Sequence, residues 1–409
     1  MMMNDNISLP RIGIIGCEGK AMKIKSLEIS GIGGIAELNI NFKDGLNVIC
    51  GSNGVGKTTI IDVISDAFTN NIQIVRRNTK YAKGRYSLKY CLNGNEKISL
   101  GEITEINSKG DLRTETKKVD SDEVKAIMLF RDQRSGNYIP PEIRMDKDVF
   151  TPQPNQTIHQ GISEAGVKNW FVNRYLFYRI KESLSEVEVK NLEQTMLLFQ
   201  LIDPDISFKS IDHRTFDVKL NSSRGEVYMD HLSSGYRACV GILMGLMQEI
   251  DQRFNNLLYK DFEGLIVVDE VDLHLHPNWQ AKIVEGLKRT FPRAQLILTT
   301  HSPSILQSLG KDEIIPLALD ENNNTIVKEL NLGQYGLQGW TLEEILTDVM
   351  DMPRTSSELF QGTMDTFDKA MGSEDWKAAQ ENYILLDKML HPNSTMRRLL
   401  RIQMAGVGE

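Results

Sequence analysis

The longest apolar runs in the chain, such as Leu265 to Val268 and Leu296 to Leu298, are strand-sized. A membrane-spanning helix needs ~18 apolar residues, so a transport role would require separate membrane subunits. Zinc spacing is also missing. The 4 cysteines, Cys17, Cys50, Cys91 and Cys239, form no CxxC pair and are expected to be reduced thiols of a cytoplasmic protein. Basic charge is not in excess. The formal net charge of −8 argues against a globally basic nucleic-acid footprint, but leaves room for a local patch or for a partner that touches nucleic acid. A secretory signal is lacking as well, because Ile12 to Ile15 is too short for an apolar h-region and no basic stretch precedes it. Met1 to Ala21 is expected to be a flexible leader, or the product of a misassigned start codon, with Met22 opening the fold. Sustained heptads, internal repeats and low-complexity tracts are absent.

What is present is globular in character: 41% hydrophobic and 25% charged residues allow a real core. Lys23 to Ile29 and Leu38 to Phe42 alternate as strands, with Gly31, Gly33 and Gly34 between them. Leu46 to Cys50 is a short buried-type strand, followed by a glycine-rich loop and a helix from about Lys57 to Phe68. Turn signals at Asn93-Gly94 and Lys109-Gly110 punctuate a polar, strand-like stretch. Val124 to Phe130 is predicted as one apolar strand, and Pro140, Pro141, Pro152 and Pro154 mark an extended loop. Ser163 to about Leu201 is predicted as helix, and Phe208 to Leu220 and Glu226 to Met229 as strands. A further helix is expected from about Ser234 to Phe254, and Leu265 to Val268 and Leu296 to Thr299 as buried strands. Strands alternating with helices indicate an α/β fold with a parallel sheet covered on both faces.

Gly51-Ser52-Asn53-Gly54-Val55-Gly56-Lys57-Thr58 is a complete Walker A loop. Its glycines let backbone N–H groups turn toward phosphate oxygens, and the helix N-terminus adds positive potential. Ser52, Asn53, Gly54, Gly56, Lys57, Thr58 and Thr59 are thus expected at the nucleotide. Lys57 should reach the β- and γ-phosphates and Thr58 should hold Mg²⁺. Leu265-Ile266-Val267-Val268-Asp269-Glu270 reads as Walker B, with Asp269 as the metal ligand and Glu270 placed to polarise the attacking water. Leu232-Ser233-Ser234-Gly235-Tyr236-Arg237 is similar to the LSGGQ signature of ABC ATPases. It departs from that signature at Ser234, where the motif has glycine, and at Tyr236, where it has glutamine. His301, within Thr299-Thr300-His301-Ser302-Pro303, resembles the ABC switch histidine that contacts the γ-phosphate.

The order Walker A, signature, Walker B and histidine resembles an ABC-type P-loop NTPase head. That resemblance implies ATP and Mg²⁺ as cofactors and a head-to-tail pair. In such a pair Ser233, Ser234 and Gly235 of one subunit face the γ-phosphate held by the other. It also implies a glutamine near the end of the strand Val124 to Phe130. Gln133 is the best candidate as nucleotide contact and metal ligand, with Arg131 and Arg134 competing for the position. His274-Leu275-His276-Pro277 has no third metal ligand nearby. With Asp272 it matches the loop that crosses the ABC dimer interface, so these residues are expected to support the site. Arg76, Arg77, Lys80, Lys83, Arg85 and Lys89, with Tyr81 and Tyr86, are either a phosphate contact or a solvated hairpin face. Arg397, Arg398 and Arg401 are expected to mark a helix end favoured by its dipole.

Over about Met22 to Leu309, the Ser-Ser-Gly signature, Asp-Glu-x-x-x-His-Leu-His-Pro and Thr-Thr-His-Ser-Pro resemble the ATPases of bacterial anti-phage systems. These are the OLD-like and Septu groups, related to RecF and SMC heads, and the Septu ATPase fits best. The tail Gly339 to Leu346 is similar to this group too. The resemblance implies a homo-oligomeric ATPase that holds an HNH nuclease and restrains it through nucleotide. OLD-like relatives carry a C-terminal Toprim nuclease, which needs an Asp-x-Asp. None follows His301, so no intrinsic nuclease site is expected. The predicted layout is a leader at 1–21, the first part of the head at 22–135, a loop and helical insertion at 136–205, the second part of the head at 206–335 and a C-terminal helical lobe at 336–409. A RecF- or SMC-like DNA-repair ATPase is the rival reading. A transporter subunit is disfavoured by the ~175 residues between Lys57 and Leu232, more than such subunits use. A non-hydrolysing scaffold is the third alternative.

Overall fold

In this computed structural model the described residues are 21–69, 74–104, 119–131, 162, 166–180, 183–352 and 356–406. The leader, the Lys109-Gly110 turn, the proline-rich stretch, Gln133 and Arg134 lie outside them. The chain forms two compact units, Met1–Ile345 and Leu346–Glu409.

Strands β1 (Met22–Ile32) and β2 (Ile35–Asn41) form a hairpin. β3 (Leu46–Gly51) leads through the Walker A loop into helix α1 (Lys57–Ala67). β4 (Gly84–Leu92) and β5 (Asn95–Ile103) are joined at Asn93-Gly94. Asn93 and Gly94 have φ of 51° and 81°, the left-handed pair of a tight type I′ hairpin turn. These strands make an antiparallel sheet in the order β2-β1-β4-β5.

Val124 is not part of a strand. It lies in the short helix α2 (Ser121–Lys125), and only β6 (Ile127–Phe130) is extended. The reason is local: Asp120 and Glu123 form a reciprocal capping box that starts a helical turn, which outweighs the apolar run. The predicted helix from Ser163 is likewise two helices, α3 (Val167–Tyr178) and α4 (Glu186–Ile202). Ser185 restarts the chain by accepting the Glu188 N–H at 3.2 Å while donating its own N–H to Glu188 at 2.7 Å. The stretch Phe208 to Leu220 also divides, into β7 (Ser207–Ile211) and β8 (Val218–Ser222). These build a small antiparallel sheet with β9 (Gly225–Tyr228). Phe216, at φ 59°, lies in the turn that splits it.

Helix α5 (Ser234–Arg253) precedes β10 (Leu265–Val268), and α6 (Pro277–Thr290) precedes β11 (Gln295–Thr299). Helix α7 (Pro303–Gln307), β12 (Ile314–Leu319) and β13 (Thr325–Val327) follow. The central sheet has the order β13-β12-β3-β11-β10-β6 and is parallel except at β13. Its inner strands are buried on both faces, as a parallel sheet requires. One core cluster joins the inner face of the antiparallel sheet, α1 and the central sheet through Ile24, Leu27, Ile60, Ile64, Val267 and Ile297.

The two sheets are bonded by buried amides. Gln295, fully buried, accepts the Ile24 N–H at 2.6 Å and donates to the carbonyls of Ile24 and Lys43 at 2.8 and 2.7 Å. Asn47 accepts the Lys43 N–H at 2.7 Å and donates back to the Lys43 carbonyl at 2.9 Å.

In the second unit, α8 (Glu358–Gly372), α9 (Trp376–Met389) and α10 (Thr395–Ala405) close over Phe367, Ala379, Leu386 and Leu400. Arg397 is not at a helix end of favourable dipole. It lies in the first turn of α10, where a bidentate pair with Asp387 at 2.6 and 2.7 Å holds it.

Gln295→Ala is expected to leave the Ile24 N–H and carbonyl without the Gln295 amide, while the Lys43 carbonyl keeps Asn47. At ~1–3 kcal/mol for each orphaned group, urea unfolding should show a loss of about 3 kcal/mol. A loss below about 1 kcal/mol would mean that the amide does not couple the sheets.

Candidate functional site: the ends of the parallel strands

The site lies where β3, β11, β10 and β6 end side by side. The register is level: Val268 pairs with Leu298 and Phe130, and Thr299 with Ile49. The residues after each strand therefore meet at one edge, the usual ligand side of an open parallel sheet.

At β3 the Walker A loop folds tightly. Gly51 has φ 142°, and a methyl group there would sit 2.3 Å from the Leu317 carbonyl oxygen, so only glycine fits. Gly54 and Gly56 are also left-handed, at φ 80° and 104°. The buried Thr325 hydroxyl, on β13, donates to the Val55 carbonyl at 2.9 Å and braces the loop from outside. Ser52 is half-buried, while Asn53 and Thr58 are exposed and Thr59 is half-buried. Thr59 packs its methyl carbon near Gly33, at the β1–β2 turn. The Lys57 ammonium donates to the carbonyls of Gly51 and Ser52 at 2.8 and 2.9 Å. Burial pulls its pKa down to about 8, against the pull of Glu270, Asp269 and Asp272. Burial pushes the Cys50 thiol behind the loop up to about 12.

At β10, Asp269 is buried, and burial raises its carboxyl above the usual range, opposed by Thr299 and by the Arg131 charge. The Thr299 hydroxyl donates to Asp269 Oδ1 at 2.5 Å and accepts the Glu270 N–H at 2.7 Å. One hydroxyl thus bonds the Asp269 carboxylate and the Glu270 backbone together. Glu270 stands at φ 48°, a left-handed conformation that costs a non-glycine residue ~1–3 kcal/mol and clusters at functional sites. Asp272 accepts the Thr300 hydroxyl at 2.6 Å and the His301 N–H at 3.1 Å. The turn after Walker B is thereby tied to the end of β11. His301 is half-buried, and burial together with the Lys57 charge holds its pKa down. A neutral imidazole offers one donor and one acceptor.

These bonds, and the charge interactions of Lys57 with Asp269, Glu270 and His301, place the four residues in one cluster. The signature residues are elsewhere. Ser233 caps α5 by accepting the Tyr236 N–H at 3.3 Å, and Ser233 and Ser234 are exposed. A methyl group on Gly235 would sit 2.7 Å from Trp279 Cδ1. Among the described residues no hydrogen bond joins this segment to the Walker A loop. The departure from LSGGQ at Tyr236 has a packing reason. Tyr236 is buried, stacks edge-on to Trp279 at 5.4 Å and donates to the Phe199 carbonyl at 3.0 Å. His276 caps α6 by accepting the Asn278 N–H at 3.4 Å.

Three residues of the basic segment are paired at the surface. Lys83 and Arg85 pair with Glu102, and Lys89 with Glu28. Tyr86 turns inward and donates to Asp66 at 2.8 Å.

The chemistry of the metal donors can be judged from the residues. Thr58 and Asp269 are oxygen ligands, which suit Mg²⁺ carried in with substrate phosphates. Among the described residues no group of three or more His, Cys, Asp or Glu forms a metal cage. The residues therefore fit a nucleotide-borne ion rather than a dedicated site.

Sequence reasoning missed Thr299, Thr325 and Gln280. Gln280 donates to the Leu275 carbonyl at 3.1 Å and accepts the Ser302 hydroxyl at 2.6 Å. Thr299 had a signal, a polar residue ending a buried strand beside His301. Thr325 had none, because only the tertiary fold brings β13 to the loop.

A glycine loop on a central parallel strand, with two acids and a histidine on its neighbours, defines a P-loop ATPase of the ABC head type. Residues 46–307 match the family described as "AAA domain, putative AbiEii toxin, Type IV TA system". The chain belongs to the PtuA family of Septu proteins, as its similarity to Septu protein PtuA of Bacillus thuringiensis shows. The two are 38% identical over 94% of this chain and 98% of the relative. A second Septu protein PtuA, of Bacillus mycoides strain KBAB4, is 26% identical over 80% of this chain but only 45% of its own length. Among solved structures, the SMC head domain from Thermotoga maritima has 16% identity and a TM-score of 0.45, covering 75% of this chain and all of that one. Membership supports an ATPase of anti-phage defence. Among the described residues no helix is long and apolar enough to cross a membrane.

Thr299→Val keeps the side-chain shape but removes the bridge between Asp269 and Glu270. Loss of such a supporting group typically lowers activity ~10–100-fold. ATP turnover should therefore fall by at least about tenfold while nucleotide binding persists. Turnover equal to wild type in a steady-state assay would exclude an orienting role for this hydroxyl.

Proposed function

We propose that this chain is the ATP-binding and hydrolysing subunit of a cytoplasmic anti-phage complex, acting by ATP-dependent assembly with itself and with an HNH nuclease. The observation that carries the hydrolytic part is the Thr299 bridge, which fixes the Asp269 carboxylate and the Glu270 backbone at the edge where both acids bear on the Lys57 charge.

In this reading Lys57 leaves the carbonyls of Gly51 and Ser52 for the β- and γ-phosphates. Backbone N–H groups of Ser52 to Gly56 and the first turn of α1, with Thr58 and Thr59, hold the remaining oxygens. Thr58 and Asp269 hold Mg²⁺, joined by Gln133, and the ion when bound neutralises developing phosphate charge. Glu270 orients the attacking water and His301 contacts the γ-phosphate. Ser233, Ser234 and Gly235, exposed or packed at the N-terminus of a 20-residue helix, complete the site of a second copy. That no hydrogen bond joins them to their own Walker A loop among the described residues supports a composite, head-to-tail arrangement. Family membership supports the defence role, and the pairing of Lys83, Arg85 and Lys89 with Glu102 and Glu28 weakens the reading of direct DNA binding.

A complementation assay tests the composite site. Lys57→Ala and Ser234→Arg chains should each be inactive alone. Mixed in equal amounts they should recover at most about a quarter of wild-type turnover, because half the pairs are mixed and each has one intact site. No recovery, with pairing of both variants retained, removes the trans arrangement. The partner is tested by purifying the tagged chain from its native host with and without ATP. An HNH nuclease retained in a nucleotide-dependent manner is expected. Recovery of DNA alone would move the chain to the repair reading.

A further inference from the structure

Arg131, the first residue after β6, has no place in the reading above. It is buried, with a side chain only 8% exposed. Its Nη1 donates to Asp62 Oδ1 at 2.7 Å, and Asp62 is 13% exposed. Its Nε and Nη2 have no hydrogen-bond partner among the described residues.

A buried guanidinium with two nitrogens that have no partner among the described residues is expensive to keep for packing alone, since each orphaned group loses its hydration. Its position says what it could serve. Phe130 is in register with Val268, and the Asp269 N–H donates to the Phe130 carbonyl at 2.9 Å. Arg131 and Asp269 therefore leave adjacent strands side by side, and the Arg131 charge bears on the Asp269 carboxylate. Asp62 lies four residues after Thr58 on α1, one turn along the same helix face. The Arg131–Asp62 pair thus ties α1, which carries Thr58, to the end of β6, the strand bonded beside the one that leads to Asp269.

We infer that Arg131, through its ion pair with Asp62, is a positioning residue that sets the separation of the Thr58 hydroxyl and the Asp269 carboxylate. It selects for nucleotide carrying a divalent cation over nucleotide alone. The inference rests on the proposed nucleotide site. Arg131 acts through the placement of α1 against β6 and β10, and it need not touch phosphate. The fork matters as well as the charge: a lysine cannot hold Asp62 and lie against Asp269 in one plane.

The test measures binding of a fluorescent ATP analogue by the full chain, without metal and across a Mg²⁺ titration, together with the melting temperature. The variants are Arg131→Met, Arg131→Lys and Asp62→Asn, with Lys57→Ala as control. Metal-free affinity should stay within about threefold of wild type in the three variants. The Mg²⁺ concentration at half-saturation should rise by at least about tenfold, the scale on which groups supporting a metal ligand act. Arg131→Met removes a buried charge partner and is the variant most exposed to misfolding. Arg131→Lys and Asp62→Asn preserve volume and decide the matter if it does not fold. An unchanged Mg²⁺ midpoint in a variant that melts like wild type overturns the inference. So does an equal loss of metal-free and Mg²⁺-bound affinity, which is what general damage to the loop would produce. If wild type and Lys57→Ala bind the analogue alike, the nucleotide site itself fails, and the role of Arg131 fails with it.

Discussion

Everything at this site depends on parallel strands ending level. β3, β11 and β10 are bonded in register, so the Walker A loop, the Walker B acids and the histidine segment leave the sheet together. Side chains from residues more than 200 positions apart then meet without any of them reaching far. The register is not maintained by apolar packing alone. Asn47 and Gln295 place buried amides between strands, and each bonds backbone groups of the β1–β2 hairpin or the turn after it. A one-residue slip would turn these amides into orphans, so polar bonding sets the alignment that hydrophobic burial makes stable.

The edge of the sheet breaks local rules that the rest of the molecule obeys. Lys57 is buried, its pKa drawn down by the loss of water. Asp269 is buried and its pKa raised, and Glu270 sits in a left-handed conformation. Each is unfavourable in isolation and is held by a neighbour: loop carbonyls for Lys57, and the Thr299 hydroxyl for both acids. Such clustered exceptions are what a functional site looks like in an otherwise consistent fold.

The departures from the ABC signature carry information about packing. Tyr236, where the family motif has glutamine, fills the space between α5 and α6 against Trp279. Gly235 cannot carry a side chain because Trp279 already occupies that position. Binding chemistry is left to the exposed Ser233 and Ser234 and to the helix N-terminus, whose N–H groups suit an anion whatever the next residue is. On the far side of Trp279, Gln280 ties the turn after Walker B to Ser302. The signature helix and the histidine segment therefore rest on one short piece of chain.

The sequence by itself determined the chemistry and the class of fold. A glycine loop between a buried strand and a helix, two acids ending another buried strand, and a histidine ending a third each follow from neighbours in the chain. Local pattern failed where a short-range bond competed with it. The capping boxes at Asp120 and Ser185 cut an expected strand and an expected helix. Only the tertiary structure decided that Thr299 serves both acids, that Thr325 braces the Walker A loop and that Arg131 joins α1 to β6. Those bonds link residues 29 to 270 positions apart. Their energy depends on distances set by strand register and packing, and no spacing along the chain encodes them.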